Sequence, residues 1–183
     1  NVEAAYKLRA CSQQDVPERA PDAFVAKTFD AFANTFDAKL AQLAYRAPEL
    51  VAQAVARHAG PPQAALSVID AGCGTGLCGP LLAPWKRRLV GVDLSAGMLG
   101  KAERRDVYDE LLVGELVAFL LSRPASCDLL VSADTLCYFG ALEAFAAAAH
   151  GALRAGGLLF FTVEAHADEP GAPDYKLHGH GRY

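Results

Sequence analysis

Val68-Ile69-Asp70-Ala71-Gly72-Cys73-Gly74-Thr75-Gly76 is the stretch on which the fold of this 183-residue chain turns. An apolar run ends in an acid, and three glycines at alternate positions follow it. A short run with apolar residues on both faces suits a strand buried inside a parallel sheet. Glycines let the backbone turn sharply and let a ligand lie directly against it. The spacing is Gly-x-Gly-x-Gly, because Leu77 stands where a dinucleotide-binding turn would place its third glycine. Alone, such a turn is also ordinary punctuation between a strand and a helix.

Working outward, Leu89-Val90-Gly91-Val92-Asp93 predicts a second strand, also ending in a carboxylate. At that end Asp93 sits beside the glycine turn, where it can accept hydrogen bonds from both hydroxyls of a ribose. A helix-capping role for it is less needed, because Ser95 caps the helix that runs to about residue 105. Further strands are expected at 111–113, 128–132 and 157–164, with helices at 115–121 and 141–153 between them. The alternation predicts an α/β fold, a three-layer α/β/α sandwich around a mainly parallel sheet. Upstream, Asp22 is expected to cap a helix carrying Phe29, Phe32 and Phe36 on one stripe, which either packs on the core or lids a ligand. Pro48 opens a further helix through His58.

With 52% hydrophobic and 21% charged residues, the chain reads as one globular domain rather than a disordered segment. Its apolar runs are far too short to span a membrane, so no membrane partner is expected. Net charge is −4, and the basic runs are confined to Lys86-Arg87-Arg88 and Arg104-Arg105, so no nucleic acid is expected either. Five cysteines form no Cys-x-x-Cys pair, which argues against zinc and against a disulfide framework, and points to a reducing, cytoplasmic compartment. His178 and His180 lack further clustered ligands, so no metal is expected. Residues 1–20 read as a helical remnant and linker, 21–165 as the domain, and 166–183 as a loop or truncated tail.

The ordered combination resembles the class I S-adenosylmethionine-dependent methyltransferases. It is carried by Asp70-Ala71-Gly72-Cys73-Gly74-Thr75-Gly76, by Gly91-Val92-Asp93-Leu94-Ser95 with Met98, by Asp128-Leu129-Leu130-Val131-Ser132-Ala133-Asp134, and by Leu153-Arg154-Ala155-Gly156-Gly157. Within that superfamily the chain looks like a bacterial group whose domain follows tetratricopeptide repeats. The resemblance implies a Rossmann-like sheet, with a C-terminal strand hairpin that is missing here. It implies S-adenosyl-L-methionine as cofactor and S-adenosyl-L-homocysteine as product. Gly72, Gly74 and Gly76 would let the loop approach the methionine portion, with Asp70 near its ammonium. Asp93 would hold the ribose, Leu94 and Met98 would flank the adenine, and Glu115 would face its amino group. Glu115 is equally an acid suited to a helix N-terminus. Ala133 and Asp134 would border the donor methyl.

Methyl transfer from a sulfonium is an in-line displacement on an activated donor, so alignment is the main requirement. A base is needed only when the acceptor must lose a proton, and Asp134, Tyr138, Glu164 and His166 are the candidates. Ala133-Asp134-Thr135-Leu136 departs from the Asn/Asp-Pro-Pro-Tyr pattern of enzymes that methylate amino nitrogens of DNA bases or glutamine. The sequence therefore predicts a methyltransferase for a small or mid-sized acceptor, in an oligomeric state it does not specify. A non-catalytic module keeping the nucleotide pocket is the alternative. A nicotinamide-dependent oxidoreductase is opposed by the glycine spacing.

Overall fold

The computed structural model describes residues 2–165 and 173–183. Four helices come first: α1 (Val2–Ser12), α2 (Asp22–Phe32), α3 (Phe36–Gln42) and α4 (Ala47–His58). The alternating part follows: β1 (Leu66–Ala71), α5 (Gly79–Leu82), β2 (Lys86–Asp93), α6 (Ala96–Ala102), β3 (Glu110–Val113), α7 (Leu116–Leu121), β4 (Cys127–Ser132), α8 (Glu143–Ala152) and β5 (Leu153–Phe161). The five strands form one sheet in the order β3-β2-β1-β4-β5, and every neighbouring pair is parallel.

Strand periodicity sorts the core into two layers. Val68, Leu89, Leu129 and Val131 pack under α4 and α5 on one face. Ile69, Val90, Val92 and Leu130 pack under α7 and α8 on the other. The expected three-layer α/β/α sandwich is what forms. The chain builds β1, β2 and β3 in one direction, then returns to add β4 and β5 on the opposite side of β1. That reversal opens a crevice beyond the carboxyl ends of β1 and β4, where open α/β sheets bind ligands.

Some boundaries differ from the sequence expectation. β2 begins at Lys86 because Lys86 and Arg88 find partners in Asp109 and Glu110, so charged residues extend the strand. β5 begins at Leu153, with Gly156 at φ +77 absorbing a register shift against β4. The aromatic helix is broken by a turn over residues 33–35, which puts Phe32 outward while Phe29 and Phe36 still meet edge to face at 5.9 Å. Asp22 is the first residue of α2 rather than its cap, and it pairs with Arg19 at 2.7 Å.

Residues 2–20 and 173–183 meet in a third core, where Tyr6 and Ala10 of α1, Ala20 and Phe24 enclose Leu177 and Tyr183. Tyr6 donates to the Gly181 carbonyl at 3.1 Å, and Tyr183 donates to the Pro17 carbonyl at 2.6 Å. Residues 173–183 are irregular in conformation but anchored by these contacts.

Candidate functional site

A cavity of about 1210 Å³, its mouth included, opens at the crevice beyond β1, β2 and β4. The three glycines of the loop after β1 do three different things. Gly72 has φ +73, and a Cβ there would fall 2.2 Å from Thr135 Oγ1, so its bareness lets the β1 and β4 loops close together. Gly74 has φ +55 and lines the cavity, and a Cβ there would meet nothing within 4 Å, which leaves bare backbone facing any ligand. Gly76, expected against the cofactor, does not line the cavity. A Cβ on it would meet Tyr108 Cε2 at 2.8 Å, so its bareness serves packing.

Asp93 anchors this loop from the end of β2. Its Oδ2 accepts the Gly74 N–H at 2.8 Å and its Oδ1 accepts the Ser95 N–H at 2.9 Å. The Leu94 N–H also bonds to this carboxylate, and with two acceptor positions on each oxygen Asp93 still keeps acceptor capacity for a ligand in the cavity that it lines. Burial raises its carboxyl above the usual carboxylate range, against the pull of those backbone donors. Ser95 caps α6 as expected, accepting from Met98 N at 3.1 Å. Leu94 and the buried Met98 supply apolar lining beside it. Asp70 is buried at the end of β1, where Tyr108 donates to it at 2.6 Å. Burial pushes its carboxyl up to about 7, and the nearby Asp93 adds to the effect.

Glu115 lines the cavity and also caps α7. Its oxygens accept from Val117 N at 2.9 Å and Ala118 N at 2.7 Å, and Arg19 pairs with it. Burial opposes ionisation here, but the two N–H groups and Arg19 together hold the carboxyl below its ordinary value. The helix-terminus role is thus realised, and one acceptor position on Oε2 remains for a ligand donor.

The far end of the cavity is formed by side chains. Ala133 and Asp134 follow β4, and Asp134 takes the left-handed conformation at φ +55. Non-glycine residues hold that conformation at a cost, and such strain gathers at functional sites. Arg182 of the tail pairs with Asp134 Oδ1, lies 2.6 Å from Glu164 Oε1, and sits over the Tyr138 ring, its Cζ 5.9 Å from the centroid. Burial raises the Asp134 carboxyl, with Arg182 opposing. Tyr138 lines the cavity and meets Phe29 edge to face at 5.5 Å; Glu164 touches the site only through Arg182. His166 lies outside the described residues. Among the described residues, no group of three or more His, Cys, Asp or Glu could hold a metal.

The α2–α3 arm is tied across the mouth by two acids. Asp30 accepts from Ser95 Oγ at 2.5 Å and Gly97 N at 3.0 Å. Asp37 accepts from Thr75 Oγ1 at 2.6 Å and pairs with Arg105 at the same distance. Sequence reasoning missed Asp30, Asp37, Arg19, Tyr45, Thr135 and Arg182. The contacts that bring Asp30, Asp37, Arg19, Thr135 and Arg182 to the site join residues tens of positions apart, and no local spacing marks them. The cavity lining is acidic as a whole: Asp22, Asp70, Asp93, Glu115 and Asp134 face only two cations, Arg19 and Arg182.

An adenosyl ligand fits this geometry, with bare backbone at Gly74, spare acceptor positions on Asp93 and apolar flanks at Leu94 and Met98. The fold and site define a class I, S-adenosylmethionine-dependent methyltransferase architecture. Comparison with known proteins agrees: the methyltransferase-domain family matches residues 69–161, and the chain belongs to that family. It is 41% identical over 85 residues to human (Homo sapiens) methyltransferase-like protein 27, covering 45% of this chain and 34% of that one. It is 29% identical to malonyl-[acyl-carrier protein] O-methyltransferase of Yersinia pestis, covering 80% of this chain and 53% of that protein. A Bos taurus 18S rRNA (guanine-N(7))-methyltransferase is 34% identical over 36% of this chain and 23% of its own length. Among solved structures, a DhpI–SAH complex shares the fold with a TM-score of 0.62 at 22% identity, over 76% of this chain and 67% of that one. The chain spans about one third to one half of the length of the first two curated relatives.

Proposed function

We propose that the protein transfers a methyl group from S-adenosylmethionine to a small or mid-sized acceptor. The observation that carries this is the pairing of Asp93 with Gly74, which sets a carboxylate with spare acceptor positions beside bare backbone at the carboxyl ends of β2 and β1. Asp93 takes the ribose hydroxyls, Leu94 and Met98 flank the adenine, and Glu115 accepts from its amino group. Asp70, Gly72 and Gly74 face the methionine portion, and Ala133 and Asp134 border the methyl. Bound there, the cofactor supplies an activated methyl on a sulfonium. The chain aligns the acceptor, excludes water and, through Asp134, takes a proton when one must leave.

An acidic lining and the ion pairing of Lys86 and Arg88 support a small acceptor over nucleic acid, although relatives include an rRNA methyltransferase. No helix among the described residues is long and apolar enough to cross a membrane. The cysteines are unpaired, in keeping with a reducing compartment such as the cytoplasm. An upstream run of tetratricopeptide repeats is part of the same reading. The test is calorimetric titration with S-adenosylhomocysteine and, separately, NADH. Binding of S-adenosylhomocysteine alone is expected; binding of NADH alone would replace this reading with an oxidoreductase.

A further inference from the structure

The acceptor end of the cavity carries more chemistry than the transfer step requires. Five aromatic residues line the cavity: Phe29, Phe36, Tyr45, Tyr138 and Phe139. Phe36, Phe29 and Tyr138 form a continuous edge-to-face chain. At its end stands Asp134, whose Oδ1 is taken by Arg182 and by Cys137 Sγ at 3.7 Å. Among the described residues no donor reaches Oδ2.

Resting on the methyl-transfer reading above, we propose that this compartment takes a small primary or secondary amine with an apolar body, held as its ammonium between the rings and Asp134 Oδ2. Ring faces attract cations, and a carboxylate oxygen that no protein group donates to attracts an N–H donor. Arg182 does not make the compartment a carboxylate receptor, because Asp134 and Glu164 already match its charge and leave an excess of one negative charge. The Arg182 guanidinium over Tyr138 shows that this ring face accepts a cation. An alcohol would fill the hydrogen bond but gain nothing from the rings or the acidic lining.

The step balances. The ammonium passes one proton to Asp134 Oδ2, and the freed nitrogen lone pair forms the N–C bond. The methyl C–S bond breaks with its electron pair left on sulfur. Methylated ammonium, S-adenosylhomocysteine and a protonated Asp134 result, and Asp134 returns its proton to water. Burial of Asp134, which favours its neutral form, suits that role.

The test is calorimetry on protein saturated with S-adenosylhomocysteine, using phenethylamine, phenethyl alcohol and 3-phenylpropanoate. Phenethylamine is expected to bind at least about tenfold tighter than the other two. Asp134→Asn should bring the amine and the alcohol within threefold; asparagine tolerates the left-handed backbone, and circular dichroism reports folding. Equal binding of the three, preference for the alcohol or acid, or an amine preference that survives Asp134→Asn in a folded variant would overturn the inference. S-adenosylhomocysteine failing to bind at all would overturn the methyl-transfer reading itself, and this inference with it.

Discussion

Between Gly72 and Ser95 the cavity is walled by the glycine loop and the end of β2, held in shape by the Gly74 and Ser95 N–H groups that donate to Asp93, whereas around Asp134 it is walled by side chains from α2, the β4 loop and the tail. The first region joins consecutive strands of one sheet, so its geometry follows from a few adjacent residues. The second depends on contacts such as Phe29 with Tyr138 and Arg182 with Asp134, which span the chain. A rigid end suits a cofactor common to a family, and a side-chain end suits an acceptor that changes from one member to the next.

The largest expected effect lies at the backbone end. On the proposed function, Asp93→Ala removes an acceptor for two ribose hydroxyls, each worth roughly 1.5–3 kcal/mol to a charged partner. Calorimetry should show S-adenosylhomocysteine binding weakened by roughly two to four powers of ten. A folded variant that binds within threefold of wild type would move the cofactor elsewhere and break the contrast.

Within the glycine loop, the comparison sharpens to single atoms. Gly72→Ala drives a Cβ into Thr135 in a left-handed backbone, so chemical denaturation should register a loss of roughly 2–4 kcal/mol. Gly74→Ala meets open space and should cost only about 1–2 kcal/mol of stability while still obstructing the ligand. Equal stability losses at the two positions would erase the distinction drawn between them.

Asp70 gives the pH dependence. Burial raises its carboxyl to about 7 from the unfolded value near 4, so the folded chain keeps a proton that the unfolded chain has released in that window. Its contribution to stability is therefore full below about pH 4 and falls as pH climbs toward 7. Asp70→Asn keeps an acceptor for Tyr108 and cannot ionise, so its stability relative to wild type should grow across that window by an amount on the order of 4 kcal/mol. Parallel stability curves for the two proteins would show that Asp70 is ionised throughout.

The smallest effect belongs to the α2–α3 arm. Phe29 and Phe36 line the cavity, and Asp30 and Asp37 tie the arm to the cofactor loops. Hydrogen exchange over residues 22–40 should slow severalfold when S-adenosylhomocysteine is added, corresponding to roughly 1 kcal/mol. Unchanged exchange there, with the glycine loop protected, would make the arm simple packing.

The same contrast explains what the sequence makes legible. The sheet, the glycine turn, the Asp93 position and the Ser95 cap are set by local periodicity and spacing, and all are readable in order. Gly76 matches the glycine spacing yet lies off the cavity lining, because Tyr108, distant in sequence, claims the space above it. Glu115 satisfies a helix terminus and lines the cavity at once, so one acid fits both readings. Arg182 and Tyr45 reach the site only through tertiary packing, and the break between α2 and α3 lets Phe36 keep contact with Phe29 while Phe32 turns outward.

The most direct test of the cofactor assignment is a cycle that pairs Asp93 with one hydroxyl. Binding of S-adenosylhomocysteine and of its 2′-deoxy analogue would be measured by calorimetry on wild type and on Asp93→Ala. Wild type should prefer the ribose form by at least about tenfold, and the variant by less than about threefold. The same preference in both proteins would show that Asp93 does not touch the ribose, and would contradict the assignment of this cavity.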